Sequence, residues 1–135
     1  MADGMSNDHA NEVLNFLFGL TSLTPPATWY LGAYTVAPGE TGGGTECTGG
    51  AYARIPITNN TTNFPTTTTG VKSLGVTASF AEATNNWGTM VAVGLFTASS
   101  GGVPRWYMPI TPQVIATGDT LKVPVGSTGI QLTLT

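Results

Sequence analysis

Apolar positions near the start of the chain recur at three- and four-residue spacing; past Pro25–Pro26 the period changes to two. Ala10, Val13, Leu14, Leu17 and Phe18 carry the first pattern, which predicts one short helix. Asp8 is the expected cap, Glu12 adds favourable charge to the first turn, and Gly19 is placed to end it. Phe16 falls off the stripe, so one helix face is expected to pack on the chain's own domain while Phe16 meets a neighbour. Ahead of it lies a polar arm, Met1–Asn7.

The two-residue period predicts strands. Trp29–Val36 places Trp29, Leu31 and Ala33 on one face and Tyr30, Gly32 and Tyr34 on the other. Ala51–Thr58 continues strand character, with Pro56 marking an edge or bulge. Alternation returns in Val76, Ala78 and Phe80, in Val91, Val93 and Leu95, and in Leu121, Val123 and Val125. Arg105–Ile110 reads as a short strand ending near Pro109 and Pro112, and Ile130, Leu132 and Leu134 as one running on to Thr135. Pro38–Gly50 and Asn59–Gly70 read as long loops. Six to eight short strands between turn signals predict an all-β jelly-roll or β-sandwich domain with a short N-terminal helix. The expected division is an arm and helix over 1–24 and a single β domain over 25–135.

Charge changes the picture more than length does. Lys and Arg together number 4 and Asp and Glu 7, so 8% of the 135 residues are charged, against about 25% in an ordinary soluble domain. The cations Arg54, Lys72, Arg105 and Lys122 stand singly and the net charge is −3, which argues against nucleic acid as a partner. Val13–Leu20 is too short to span a bilayer, so no membrane role is expected. A lone cysteine, Cys47, forbids an intrachain disulfide and suits synthesis in a reducing cytoplasm.

Candidate chemistry is sparse. His9 is the only histidine and reads as a solvated residue at the helix start. Cys47 has no spaced base to activate it. No metal-ligand set and no cofactor motif is present, so an enzyme is not expected. Glu40 and Glu46 flank Gly42–Gly44, and with two carboxylates the loop is short of a calcium site. Arg54 is their natural partner, and Glu40 or Glu46 is expected to pin the glycine-rich loop against the sheet through it. Trp29 is expected in the core and Trp87 in a turn, while Trp106 and Tyr107 must point to opposite faces. One of those two is the expected interface residue, since Trp and Tyr are enriched in binding hot spots. Glycan binding by the aromatics is the less favoured use.

A set of short motifs carries a resemblance. They are Pro25–Pro26, Tyr30–Leu31–Gly32, Thr35, Ala37–Pro38–Gly39–Glu40, Gly42–Gly43–Gly44–Thr45–Glu46, Gly49–Gly50 and Tyr52–Ala53–Arg54. Trp87–Gly88, Gly94–Leu95–Phe96 and Gly118–Asp119–Thr120–Leu121 before Pro124 extend them. Together they resemble a family of small bacteriophage virion proteins, often labelled tail-fibre proteins, some of which are similar to capsid cement or decoration proteins.

The resemblance implies a non-enzymatic structural role. Its leading form is a capsid cement protein on the outer capsid surface, a homotrimer clamping major capsid protein subunits. The alternative is a tail-fibre or tail-tip component that contacts host glycans. Contacts are assigned to Val13, Phe16, Leu17 and Phe18 on the arm, and to Trp106 or Tyr107. A surface poor in titratable groups binds through apolar area and backbone hydrogen bonds, which salt screens little.

Overall fold

The computed structural model describes residues 4–68, 71–125 and 131–133. Its centre is a six-stranded antiparallel sheet. Three long strands form the middle: β2 (Thr28–Val36), β7 (Gly88–Phe96) and β8 (Trp106–Ile115). β1 (Gly4–Met5) pairs with β8 at one margin. At the other margin, β3 (Thr45–Glu46) and β4 (Ile55–Thr58) both pair with β2, one at each end of it. Two small ladders complete the ten described strands. One joins β5 (Val71–Ser73) to β10 (Gln131–Thr133), the other β6 (Ala78–Ser79) to β9 (Lys122–Val123).

The architecture is the expected all-β, sandwich-like one. Leu31, Ala33, Met90, Val93 and Leu95 point from one face of the large sheet into the main core. Phe64, Leu74, Phe80, Trp87, Leu121 and Val123 close that core from the segments that carry the small ladders. A second, smaller cluster of Tyr34, Ala92 and Phe96 lies apart from it. The alternation in β2 is decisive here. Leu31 and Ala33 join the main core with Trp29 against them, and Tyr34 joins the smaller cluster with Tyr30 against it.

Three local expectations are corrected. β8 does not stop at its prolines: Pro109 opposes Ala92 and Gln113 opposes Met90. Between those pairs β8 advances four residues while β7 advances two, so Pro112 falls in a bulge where no ladder donor is needed. The helix cap is Ser6, not Asp8, with its hydroxyl accepting from the His9 amide at 3.5 Å. Pairing of Met5 with Trp106 fixes the chain just before that turn. The helix α1 spans Asn7–Gly19, and Leu20 beyond it, rather than a glycine, takes the left-handed conformation at φ 58°. Ile130, Leu134 and Thr135, expected in a final strand, lie outside the described residues, as does the start of the polar arm.

Candidate functional site

Two features stand out on this scaffold. The first is a polar junction where β2 changes partners. β4 covers β2 from Thr28 to Leu31 and β3 covers it from Tyr34 onward, leaving Gly32 and Ala33 between. The gap in the ladder is filled from elsewhere: the Tyr52 hydroxyl accepts from the Ala33 amide at 2.9 Å, and the Ala33 carbonyl accepts from the Cys47 amide at 2.9 Å. Tyr52 also donates to Glu46 Oε1 at 2.8 Å.

Glu46 holds Arg54 through two parallel bonds, Nε to Oε1 and Nη2 to Oε2, each 2.7 Å. Arg54 Nη1 donates to the carbonyls of Ala98 at 2.8 Å and Gly101 at 3.0 Å. Its guanidinium carbon lies 3.3 Å from the centre of the Phe96 ring, which stacks on Tyr34. One arginine therefore ties the β3–β4 segment to the loop between β7 and β8. Glu40 takes no part in this pair. It is exposed, and its backbone carbonyl accepts from the Asn7 amide instead.

Electrostatics follow from that burial. Burial pushes the Tyr34 and Tyr52 hydroxyls well above the ordinary tyrosine range, with the Glu46 carboxylate adding to both. The Cys47 thiol is pushed up to about 11, by burial first and Glu46 second, which leaves it protonated and inert at neutral pH. Beside the junction is an open depression of about 350 Å³ lined by Glu46, Thr48, Arg54 and Ser99 among others. Its Glu46, Tyr52 and Arg54 are already bonded to one another. No group of three or more potential metal ligands occurs among the described residues.

Gly32 makes the junction possible. A Cβ there would come within 2.9 Å of both Glu46 Oε1 and the Phe96 ring, and 3.1 Å from the Tyr52 hydroxyl. Gly32→Ala is therefore expected to destabilise the chain by about 1–3 kcal/mol through overpacking. Urea unfolding would show this as a lowered midpoint. A raised midpoint, the usual result of removing glycine from a strand, would contradict it.

The second feature is α1, whose attachment lies at its start. The Ser6 amide donates to the Arg105 carbonyl. Glu12 pairs with Arg105 at 3.0 Å and with His9 at 2.9 Å, and the His9 ring meets Trp106 edge-on at 5.7 Å. His9 is thus largely covered, where a solvated residue was expected. No residue of the helix is buried. At about 100° per residue, Ala10, Leu14, Leu17 and Phe18 share the side away from His9 and Glu12. The periodic stripe faces outward because the polar pair, not the apolar stripe, contacts β8. Leu14, Phe16, Leu17, Phe18 and Leu20 are 52%, 47%, 59%, 84% and 96% exposed.

Of the other expected contact residues, Val13 is half-buried and Trp106 is half-buried under His9. Tyr107 is corrected: at 3% exposure its ring belongs to the interior and offers no surface. Trp87 is buried and its indole donates to the Gly50 carbonyl at 2.9 Å. Leu14 and Tyr52 enter the sequence reading only as part of the helical stripe and of a family motif, and neither they nor Leu20 are assigned these roles there. Nothing in the local pattern around Tyr52 distinguishes a ladder substitute from an ordinary strand residue.

A helix with uncovered apolar side chains on a β scaffold fits a structural protein, and the comparison with known families bears directly on it. Residues 4–131 match the model of the family described as podophage GP4 fiber I protein gp80. The chain belongs to that family. It is a bacteriophage virion structural protein, as the motif resemblance implied. The match covers the helix, the Glu46–Arg54 junction and all three long strands of this fibre-family chain. No curated protein matches it. The fibre description accords with the tail-component alternative better than with capsid cement. No described helix of this family member is long and apolar enough to cross a membrane.

Proposed function

We propose that this chain is a non-enzymatic component of a podophage tail fibre that works by adhesion, with α1 as its main contact element. The observation that carries this is a helix whose bonds to the other described residues lie at its base, with a large apolar face uncovered. A patch of that size on a soluble monomer marks an interaction site. The Glu46–Arg54 junction serves a different purpose: it fixes the loops of the scaffold so that the contact surface is presented in one geometry.

A capsid cement role is the second reading. The same projecting helix would suit a homotrimer on the outer capsid surface that lays its arms between major capsid protein subunits, and the motif resemblance favours it. Host glycans are weaker partners on either reading. Trp87 is buried, and Trp29 and Trp106 are half-buried against the core, so an open tryptophan platform is lacking among the described residues.

Locating the chain in purified virions tests the proposal. Antibody labelling at the tail, with copies counted in tens as fibre symmetry requires rather than hundreds, is the expected result. Labelling spread over the head at hundreds of copies would replace the fibre reading with the cement reading.

A further inference from the structure

We infer that the depression beside the Glu46–Arg54 junction binds a neutral sugar residue, gripping two hydroxyls on adjacent carbons. The inference goes beyond the adhesive reading of α1, because it places a small-ligand site elsewhere on the scaffold. Three observations carry it.

The first is unspent hydrogen-bonding capacity at the ion pair. A guanidinium carries five N–H donors in one plane. Four of those on Arg54 meet Glu46 Oε1, Glu46 Oε2 and the carbonyls of Ala98 and Gly101. The fifth, on Nη2, has no acceptor among the described residues. Planarity sets its direction. Glu46 occupies the edge formed by Nε and Nη2, so the remaining Nη2 hydrogen lies on the edge shared with Nη1, which bonds the Ala98–Gly101 loop. Ser99, Ser100 and Gly101 of that loop line the depression together with Arg54 and Glu46. In so buried a side chain an unbonded donor is costly. Glu46 Oε2 accepts only from Arg54 and keeps a lone pair. An unused donor and an acceptor with spare capacity therefore stand side by side, with Nη2 and Oε2 2.7 Å apart. Two neighbouring hydroxyls complement that pattern, one accepting from Nη2 and the other donating to Oε2.

The second is charge. Glu46 and Arg54 neutralise each other, and no other charged side chain among the described residues lines the depression. An anion would meet the Glu46 carboxylate, and a cation would compete with Arg54 for it. Thr48, Ser99 and Ser100 add hydroxyls at exposed positions, which suit a ligand that both donates and accepts.

The third is size and access. At about 350 Å³ the depression lies at the small end of ligand sites, which run from roughly 300 to 1,000 Å³. Being open, it suits a single ring or a chain end. Its Thr48–Gly49 rim leads into Ala51, held at φ 67°. A left-handed alanine is strained, and such strain gathers around ligand sites. No tryptophan is among the lining residues, so hydrogen bonds carry the recognition and the expected dissociation constant is about 1 mM.

Amide NMR of the full chain, titrated separately with glucose, galactose and mannose to about 50 mM, well above that constant, tests this. At least one sugar should shift the signals of Thr48, Gly49 and Ser99 saturably. Deoxy analogues of that sugar should lose affinity when either of two neighbouring hydroxyls is missing. Glucuronate, glucosamine and glutamine, bearing an anion, a cation and a carboxamide, should bind roughly tenfold more weakly or worse. Ser99→Leu, at an exposed position, fills the depression and should abolish the shifts while melting like the parent. Thr66→Leu, exposed on another loop, should leave them unchanged. Beads carrying the matching homopolymer, dextran, galactan or mannan, separate the sources. Retention assigns the site to a polysaccharide, and binding of the free sugar alone assigns it to a diffusible one; either supports the inference.

No saturable shift with any of the three sugars, or shifts confined to other parts of the chain, would overturn it. So would a Ser99→Leu variant that binds like the parent, or a preference for glucuronate, glucosamine or glutamine. None of these outcomes depends on α1 or on location in the virion, so the adhesive reading stands or falls separately.

Discussion

Glu46→Ala is expected to cost about 3 kcal/mol of folding stability, near the lower end of the roughly 3–5 kcal/mol seen when one partner of a buried pair is removed. The Arg54 side chain is 3% exposed and that of Glu46 25%. Removing the carboxylate leaves a largely buried guanidinium without its counter-charge, still tied to two carbonyls and an aromatic ring. It also strips the Tyr52 hydroxyl of its acceptor. Water can enter where Glu46 was, which is why the lower end applies. With small domains stable by about 5–15 kcal/mol, the variant should sit close to its unfolding limit at 37 °C.

The double variant Glu46→Leu/Arg54→Met separates charge from packing. It leaves no buried charge unpaired, so it should be more stable than Glu46→Ala alone. Urea unfolding of the parent, both single variants and the double variant gives the coupling directly. A loss below about 1 kcal/mol for Glu46→Ala would class the pair with ordinary surface ion pairs and remove the junction as the element that fixes the loops.

Alkali is expected to unfold the chain from about pH 10 upward, through Tyr34 and Tyr52. Both ionise well above the ordinary tyrosine value in the folded state, because burial and the Glu46 carboxylate oppose a phenolate. Below pH 10 folded and unfolded chains hold these protons equally, and the contribution to stability is full and constant. Above it the unfolded chain releases protons that the folded chain keeps. Stability then falls by about 1.4 kcal/mol per pH unit for each tyrosine. Cys47, with its thiol pushed up to about 11, begins to act in the same direction slightly earlier.

Two measurements check this. Urea midpoints should be flat from pH 7 to about 9 and drop steeply beyond 10, the ordinary tyrosine value. Absorbance of tyrosinate should show part of the four tyrosines ionising only as the fold is lost. If all four ionise near pH 10 with the fold intact, these hydroxyls are not shielded as described.

Much of the scaffold is legible in the sequence, and the reason is periodicity. A strand that has one face in each of two clusters must alternate. Trp29–Val36 does so, and Leu31 and Ala33 lie in one cluster while Tyr34 lies in the other. That Arg54 pairs with a loop carboxylate, Glu40 or Glu46, is legible for a different reason: the three lie close together in a chain with few charges, and Glu46 is the one that pairs. Residue types also convey the poverty of chemistry. The proposed adhesive role rests on that poverty and on the uncovered helix face, not on any catalytic signature.

Tertiary structure alone decided three matters. Pro109 and Pro112 look like strand stops because local rules assume an unbroken ladder, yet β8 carries a bulge that frees Pro112 from it. Trp106 and Tyr107 are equivalent by alternation, and only the packed sheet shows that Tyr107 is interior. The helix is the clearest case. Its apolar period predicts a helix correctly but says nothing of what covers the stripe, since covering depends on distant strands. Glu12 and His9 meet Arg105 and Trp106 at the base, and that long-range choice turns Leu14, Leu17 and Phe18 outward. Period is a property of neighbouring residues; burial is a property of the whole chain.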